Sequence, residues 1–300
     1  MSDRSAVVLV DKPAGPTSHD VVGTARRALR TRRIGHTGTL DPFATGLLIL
    51  CVGRATRLVE YFHLLPKTYE ADVVFGEARD TDDLTGAVTE RAELDPSLDA
   101  ARIREALEES RGRSEQRPPD YSAIRRDGER AYEAARRGEP LPLEPRPIEV
   151  HEARLESWDP PVARIVYSVS TGTYVRALAR DLGARLGCPA HLGALRRTRI
   201  GPFAVRAAVA PDGVSWEGAG TLSPLAALRW LPTRELSAEE RTAIGYGQAL
   251  EGTAAAAPDE PQPGLVADEL PVALRADGRL VAIARRRDGE TRPEKVFDAA

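Results

Sequence analysis

Gly35-His36-Thr37-Gly38-Thr39-Leu40-Asp41-Pro42-Phe43-Ala44-Thr45-Gly46 is the most constrained stretch of this 300-residue chain. It holds one carboxylate, Asp41, between glycines and directly before a proline. Gly35, Gly38 and Gly46 permit positive φ or a close approach of backbone to a ligand. Pro42 pushes Asp41 out of the helical region. Thr37, Thr39 and Thr45 add hydroxyls, and His36 adds a flat polar ring. Such backbone constraint around one acidic side chain points to a group that is aimed. The alternative is a glycine-rich turn in which Asp41 makes an ordinary Asx-turn.

The flanking pattern sets the fold class. Ala6 to Asp11 reads as a short buried strand. Thr17 or Ser18 caps a helix whose apolar face is Val21, Val22, Ala25 and Leu29. Leu47 to Val52 is an apolar run suited to a buried strand or a helix start. Thr68 to Phe75 and Ala163 to Val169 alternate as half-buried strands. Ser97 begins a helix carrying Leu98, Ile103 and Leu107. Val175, Leu178, Leu182 and Leu186 stripe another that stops at Gly187. Strands in alternation and in neighbouring pairs predict an α/β (α+β) fold with a mixed sheet flanked by helices, not a doubly wound parallel one. Residues 113–147, rich in proline around a short helix at Glu129 to Arg137, read as an insertion or lid. Composition shifts near Leu231-Pro232. Ala254 to Gly264 reads as a linker, and Val272 to Ala284 as a hairpin turning at Asp277-Gly278. The expected domains are therefore 1–231 and 232–300, the second small and β-rich.

Composition narrows the function class. Forty-two lysines and arginines against 45 acidic residues give a net charge of −3, which does not advertise a nucleic-acid binder. The distribution does more. No acidic residue occurs from Val21 to Leu40, where Arg26, Arg27, Arg30, Arg32 and Arg33 crowd together. Arg185, Arg196, Arg197 and Arg199, with His191, make a second basic group. Guanidinium forks suit phosphates, although solvated arginine faces are the plain alternative. No apolar run approaches the ~18 residues a membrane span needs, so a cytoplasmic location is expected. The 2 cysteines form no C-x-x-C pair and the 5 histidines have no metal-ligand spacing, so no metal is expected. Asp80, Asp82 and Asp83 lack the glycine and closing glutamate of a calcium loop. No phosphate-cradling G-x-x-x-x-G-K-[ST] or G-x-G-x-x-G follows a strand.

The Asp41 stretch resembles the G-H-x-G-x-L-D-P-x-A-x-G-x-L loop of the TruB-type tRNA pseudouridine synthases. Asp11-Lys12-Pro13, Lys67-Thr68-Tyr69, Tyr121-Ser122-Ala123, Gly172-Thr173-Tyr174-Val175-Arg176 and Leu195-Arg196-Arg197 match the same family in the same order. The match spans roughly residues 7 to 205. The resemblance implies the pseudouridine synthase fold with a largely antiparallel central sheet, an RNA-gripping segment at 113–147 and a PUA-like RNA-binding domain at 232–300. It implies isomerisation of the T-loop uridine of tRNA, position 55, by base flipping, with neither cofactor nor metal. Asp41 would be the catalytic residue, by attack on the sugar, attack on the base or removal of the 2′ proton; all three need it ionised.

Arg176 resembles the arginine that pairs with that aspartate, a phosphate contact or helix-surface position being the alternative. Tyr69 would stack on the flipped uracil, unless it is a core aromatic of its strand. Tyr174 would close the opposite side. Lys12 would act structurally or electrostatically near the pocket, or else lie solvated in its loop. His36, Asp83, Tyr121, Arg26, Arg30, Arg33, Arg196 and Arg197 would contact RNA, His36 being alternatively a structural donor. The T stem-loop of tRNA is the expected partner, with no obligate protein partner and a monomeric state. Two other readings use the same scaffold: a non-catalytic tRNA-binding or folding module, and the catalytic subunit of a guide-RNA-directed complex.

Overall fold

The computed structural model describes residues 4–122, 124–126 and 128–297. The chain divides into two compact units: Met1–Pro42, Gly46–Leu65 and Ile200–Ala300 in the first, Phe43–Thr45 and Pro66–Arg199 in the second.

In the first unit the strand Ala6–Lys12 pairs antiparallel with Thr45–Val52, Val8 opposite Leu50. Both runs are apolar at nearly every position because both faces are covered. Val7, Leu9, Leu47, Ile49 and Cys51 enter one core with Phe62, Phe203 and Trp230. Val8, Val10, Leu48, Leu50 and Val52 enter another, with Val21, Val22, Ala25 and Leu29 of the helix Ser18–Leu29. Thr17 is that helix's N-cap, in a capping box with Asp20. The chain end builds a five-stranded sheet from Thr233–Glu235, Leu250–Glu251, Val272–Ala276, Arg279–Arg287 and Glu290–Val296. Its hairpin turns at Asp277 and Gly278, both at positive φ (51° and 70°), as a tight two-residue turn demands. Ala273, Leu280 and Ile283 of this sheet join the core that holds Val7 and Ile49.

In the second unit Lys67–Phe75 pairs antiparallel with Val162–Val169, placing Tyr69 opposite Tyr167. Val162–Val169 pairs antiparallel with Arg146–Asp159, and that strand with Gly112–Gln116. The helices Ala100–Glu109 and Val175–Leu186 accompany these strands. The architecture is the mixed α/β fold expected, largely antiparallel, with a small β-sheet at the chain end.

Two local expectations are corrected. The helix expected from Ser97 starts at Ala100, because the Asp99 carboxylate accepts from the amides of Ala101 (3.0 Å) and Arg102 (2.9 Å) and caps it there. The longest strand, Arg146–Asp159, was not anticipated. Between residues 117 and 145 the described residues form a small hairpin, Arg125–Arg126 with Glu129–Arg130, and the helix Ala131–Arg136. Ala123, part of the Tyr121-Ser122-Ala123 motif, lies outside the described residues.

Candidate active site

The Asp41 segment leaves a short strand, Ile34–His36, and passes through irregular backbone before Thr45–Val52. Its course is fixed on both sides of Asp41. The Ser18 hydroxyl accepts from the Leu40 amide (2.9 Å) and donates to the Leu40 carbonyl (3.0 Å). The Pro42 carbonyl accepts from the Gly15 amide (2.8 Å) and from Lys12 Nζ (3.2 Å). Lys12 also donates to the Pro13 carbonyl (2.9 Å) and is wholly buried. It is therefore not a solvated loop lysine. The Pro13 and Pro42 carbonyl oxygens take the place of water at its ammonium.

Further up the segment, the Gly38 amide donates to His36 Nδ1 (3.3 Å) and the Thr37 amide to the Ile49 carbonyl (3.1 Å). In this bond His36 accepts, whereas its alternative reading made it a structural donor. Positive φ occurs at Gly38 (156°) and Gly46 (106°), whereas Gly35 is an ordinary strand residue.

In the second unit Arg176, 5 % exposed, is not a helix-surface residue. One of its terminal nitrogens donates to the Thr81 carbonyl (3.0 Å) and lies 3.4 Å from the Asp83 carboxylate; the other donates to the Tyr121 carbonyl (3.0 Å). The other Asp83 oxygen accepts from the Thr81 and Thr85 hydroxyls (2.9 and 2.6 Å) and the Thr85 amide (2.9 Å). Asp83, Tyr121 and Arg176, far apart in sequence, are thereby brought together. Next to them, burial pushes the Asp82 carboxyl upward, against the pull of Arg180 and Arg176.

Tyr174 N-caps the Val175–Leu186 helix, and Gln116 clamps its backbone: the amide donates to Gln116 Oε1 (2.9 Å), and Gln116 Nε2 donates to its carbonyl (3.1 Å). Tyr69 is almost wholly buried in its strand. Two residues earlier, buried Lys67 donates to the Thr171 hydroxyl (2.8 Å), in the turn before Tyr174. Burial, helped by the charge of Arg197, lowers the Lys67 ammonium to about 7. Ser18, Gln116 and Lys67 are site residues that sequence reasoning did not assign.

The second basic group does not form one surface. Arg197 is buried, Arg199 is exposed, Arg185 pairs with Glu109 at 3.0 Å, and His191 Nδ1 meets the Glu77 carbonyl at 2.8 Å. Strand alternation along Ala190–Ile200 puts Arg196 on the face opposite Arg197 and Arg199, and Arg185 stands on the helix Val175–Leu186. Arg196 reaches the Thr45 hydroxyl at 3.4 Å. Among the described residues no group of three or more histidine, cysteine or acidic side chains could hold a metal ion. Burial pushes the Cys51 thiol up to about 12, so it is no nucleophile. No helix among the described residues is long and apolar enough to cross a membrane.

Comparison with known proteins places this arrangement in a family. Residues 26–175 match the TruB family pseudouridylate synthase N-terminal domain, and residues 176–215 the tRNA pseudouridylate synthase B C-terminal domain. The chain belongs to the TruB family of pseudouridylate synthases. It is 42% identical to tRNA pseudouridine synthase B of Thermobifida fusca, over 97% of this chain and 98% of the relative. It is 39% identical to the protein of the same name from Deinococcus radiodurans, over 93% and 98%. Among solved structures, a chain of a Cbf5-Nop10-Gar1 complex matches with a TM-score of 0.73 at 25% identity, covering 98% of this chain and 85% of the other.

Proposed function

We propose that the chain converts a uridine of tRNA, the T-loop uridine, to pseudouridine, with Asp41 as the catalytic residue. The names of its relatives, tRNA pseudouridine synthase B, support the substrate class. The observation that carries the role of Asp41 is the anchoring of both its neighbours: Leu40 by Ser18, and Pro42 by Lys12 and Gly15. A carboxylate whose backbone is fixed on both sides meets its target without paying orientation entropy at the moment of reaction.

The reaction is an isomerisation. The bond from ribose to the uracil nitrogen breaks, the ring turns, a carbon–carbon bond forms, and a proton moves from that carbon to nitrogen. Atoms and electrons balance within the substrate, with no cofactor. The base must first leave its stack, at an expense of a few kcal/mol. Tyr69 offers a ring face that tolerates a turning base, and Tyr174 closes the opposite side. Arg176 supplies the positive charge that favours an ionised aspartate. Lys12 supports the Asp41 backbone. His36, Asp83, Tyr121, Arg26, Arg30, Arg33, Arg196 and Arg197 contact RNA, and residues 232–300 add an RNA-binding module to a catalytic domain of 1–231. The enzyme works as a cytoplasmic monomer without an obligate protein partner.

The test is to incubate unmodified tRNA transcript with wild type and with Asp41→Asn, and to map pseudouridine by chemical probing. Wild type should modify the T-loop uridine. The variant should be slower by about 10³-fold or more, while still binding RNA. Normal turnover by Asp41→Asn would remove Asp41 from the mechanism. RNA binding without modification by wild type would favour the non-catalytic module.

A further inference from the structure

The helix Val175–Leu186 carries a second arginine one turn beyond Arg176. Residues four apart share a helix face, and Arg180 meets the same two neighbouring segments. Its Nη1 lies 2.8 Å from the Asp82 carboxylate, and its Nη2 donates to the Arg117 carbonyl (2.9 Å). Its Nε donates to Asp181 (3.0 Å), which holds the fork on those two partners. Arg176 makes the same pair of connections, to Asp83 and to the Tyr121 carbonyl. Two successive aspartates of one loop are thus joined, through two arginines of one helix, to two carbonyls four residues apart. Those carbonyls flank Pro118, Pro119 and Asp120, the root of the 117–145 segment. Beyond its root the segment bonds to itself: the Ala131 amide donates to the Ile124 carbonyl (2.8 Å), and the Tyr132 amide to the Ser122 carbonyl (3.1 Å).

The two connections differ in their setting. The Arg176 and Asp83 side chains are almost wholly buried, and both already belong to the site. The Arg180 side chain is 31% exposed and that of Asp82 13%, so this pair lies at the edge of solvent and adds only modestly to global stability. The Asp82 backbone is fixed without its carboxylate. Its amide donates to the Arg79 carbonyl (3.0 Å), and its carbonyl accepts from the Leu192 amide (3.0 Å). Its φ of 58° is one that aspartate tolerates. The carboxylate is not needed to shape the loop; what it holds is Arg180. One tie leaves the root able to swing about a point, whereas two ties fix its direction.

We propose that Asp82 and Arg180 are positioning residues for the RNA substrate: they fix the direction in which the 117–145 segment leaves the strand Gly112–Gln116, so that the segment meets RNA already ordered. The proposal rests on the reading of that segment as an RNA grip. A segment held in one direction loses little freedom when RNA arrives, while one that swings must be ordered on binding and loses affinity. The pair therefore acts on binding and leaves the chemistry at Asp41 alone.

The test reads the segment and the reaction separately, in wild type, Asp82→Asn, Arg180→Gln, Arg180→Lys and the double variant Asp82→Asn/Arg180→Gln. Asparagine tolerates positive φ as aspartate does, so the loop keeps its shape. Trypsin cutting at Arg125, Arg126, Arg136 and Arg137, exposed arginines of the segment, should be about threefold to tenfold faster in Asp82→Asn and in Arg180→Gln. In single-turnover reactions on tRNA, the half-saturating enzyme concentration should rise by a similar factor at an unchanged plateau rate. The double variant should be no worse than either single one, because each removes the same tie. Arg180→Lys keeps the charge but not the fork, and should fall between wild type and Arg180→Gln. Arg102→Gln breaks a comparable pair, with Asp95 at 3.1 Å, and should change neither readout. Unchanged trypsin cutting in Arg180→Gln, additive effects in the double variant, or a lowered plateau rate would overturn the tie. Faster cutting at an unchanged half-saturating concentration would overturn the gripping role of the segment, and inactivity of wild type on tRNA would overturn the functional reading itself.

Discussion

Arg176 and Asp83 lie 3.4 Å apart, guanidinium nitrogen to carboxylate oxygen, with both side chains almost wholly removed from solvent. Each also bonds to neighbours: Asp83 accepts from Thr81 and Thr85, and Arg176 donates to the carbonyls of Thr81 and Tyr121. A buried pair satisfied in this way adds little net stability, but removing one member strands the other charge in a low dielectric. Asp83→Ala should therefore destabilise the protein by about 3–5 kcal/mol in urea unfolding, with loss of pseudouridine formation. Asp83→Asn keeps an acceptor for the threonines and should retain more stability than Asp83→Ala. Equal stability of Asp83→Ala and wild type would show that the pair carries no structural weight.

Lys67 gives the protein a pH signature. Burial first, and Arg197 second, lower its ammonium from 10.5 to about 7. The folded-state value is depressed below the unfolded one. Above pH 7 the folded protein therefore gives up a proton that the unfolded chain still holds, and stability rises with pH until the unfolded lysine titrates. Urea midpoints of wild type and Lys67→Met, compared at steps between pH 7 and 10, should diverge in favour of wild type as pH increases. Parallel curves would mean that Lys67 titrates near its ordinary value.

The readable parts of the sequence were those whose determinants are local. The unbroken run Leu47 to Val52 reads as buried because its alternate residues enter two cores. Thr17 with Asp20, and Asp277 with Gly278, are helix and turn signals contained in a few residues. Arg146–Asp159 escaped because bulges between Val150 and Glu152 and between Leu155 and Ser157 break its two-residue period. The Asp41 loop was legible from its glycines and proline. Its supports were not: Ser18 reaches across 22 positions to Leu40, and Gln116 across 58 to Tyr174. A serine early in a helix and a glutamine in a strand give no sign of such duties until the chain is folded.

Gly183 inverts a familiar expectation. It sits inside the Val175–Leu186 helix, where glycine to alanine ordinarily stabilises by about 1 kcal/mol. Here a Cβ would lie 2.6 Å from the Cys188 carbonyl oxygen, 2.7 Å from the Ala190 Cβ and 2.9 Å from the Ala190 amide. Two of the three obstacles are backbone, so no rotamer change relieves the clash. Gly183→Ala should lower the urea midpoint, with a net loss of about 1–3 kcal/mol. A midpoint at or above wild type would mean that the segment after the helix yields easily.

Ser18 and Gln116 do the same work on two different segments: one short side chain satisfies both the amide and the carbonyl of a single remote residue, Leu40 in one case and Tyr174 in the other. Ser18→Ala leaves two buried polar groups unmatched beside Asp41, and Gln116→Ala takes the Gln116 partner from the Tyr174 amide, while the Tyr174 carbonyl keeps the Leu178 amide (3.1 Å). Each should destabilise by about 1–3 kcal/mol, which the fold can absorb. The larger consequence lies in positioning, since a displacement of about 1 Å in a reacting group can slow chemistry on the order of 10²-fold. Single-turnover rates on tRNA should therefore fall by about tenfold to a hundredfold in both variants, with RNA affinity nearly unchanged. Ser18→Thr restores the hydroxyl and should recover part of the rate, whereas Ser18→Cys, a weaker donor and acceptor, should recover less. If Ser18→Ala reduced affinity and rate together, the serine would be serving the RNA surface and not the aim of Asp41.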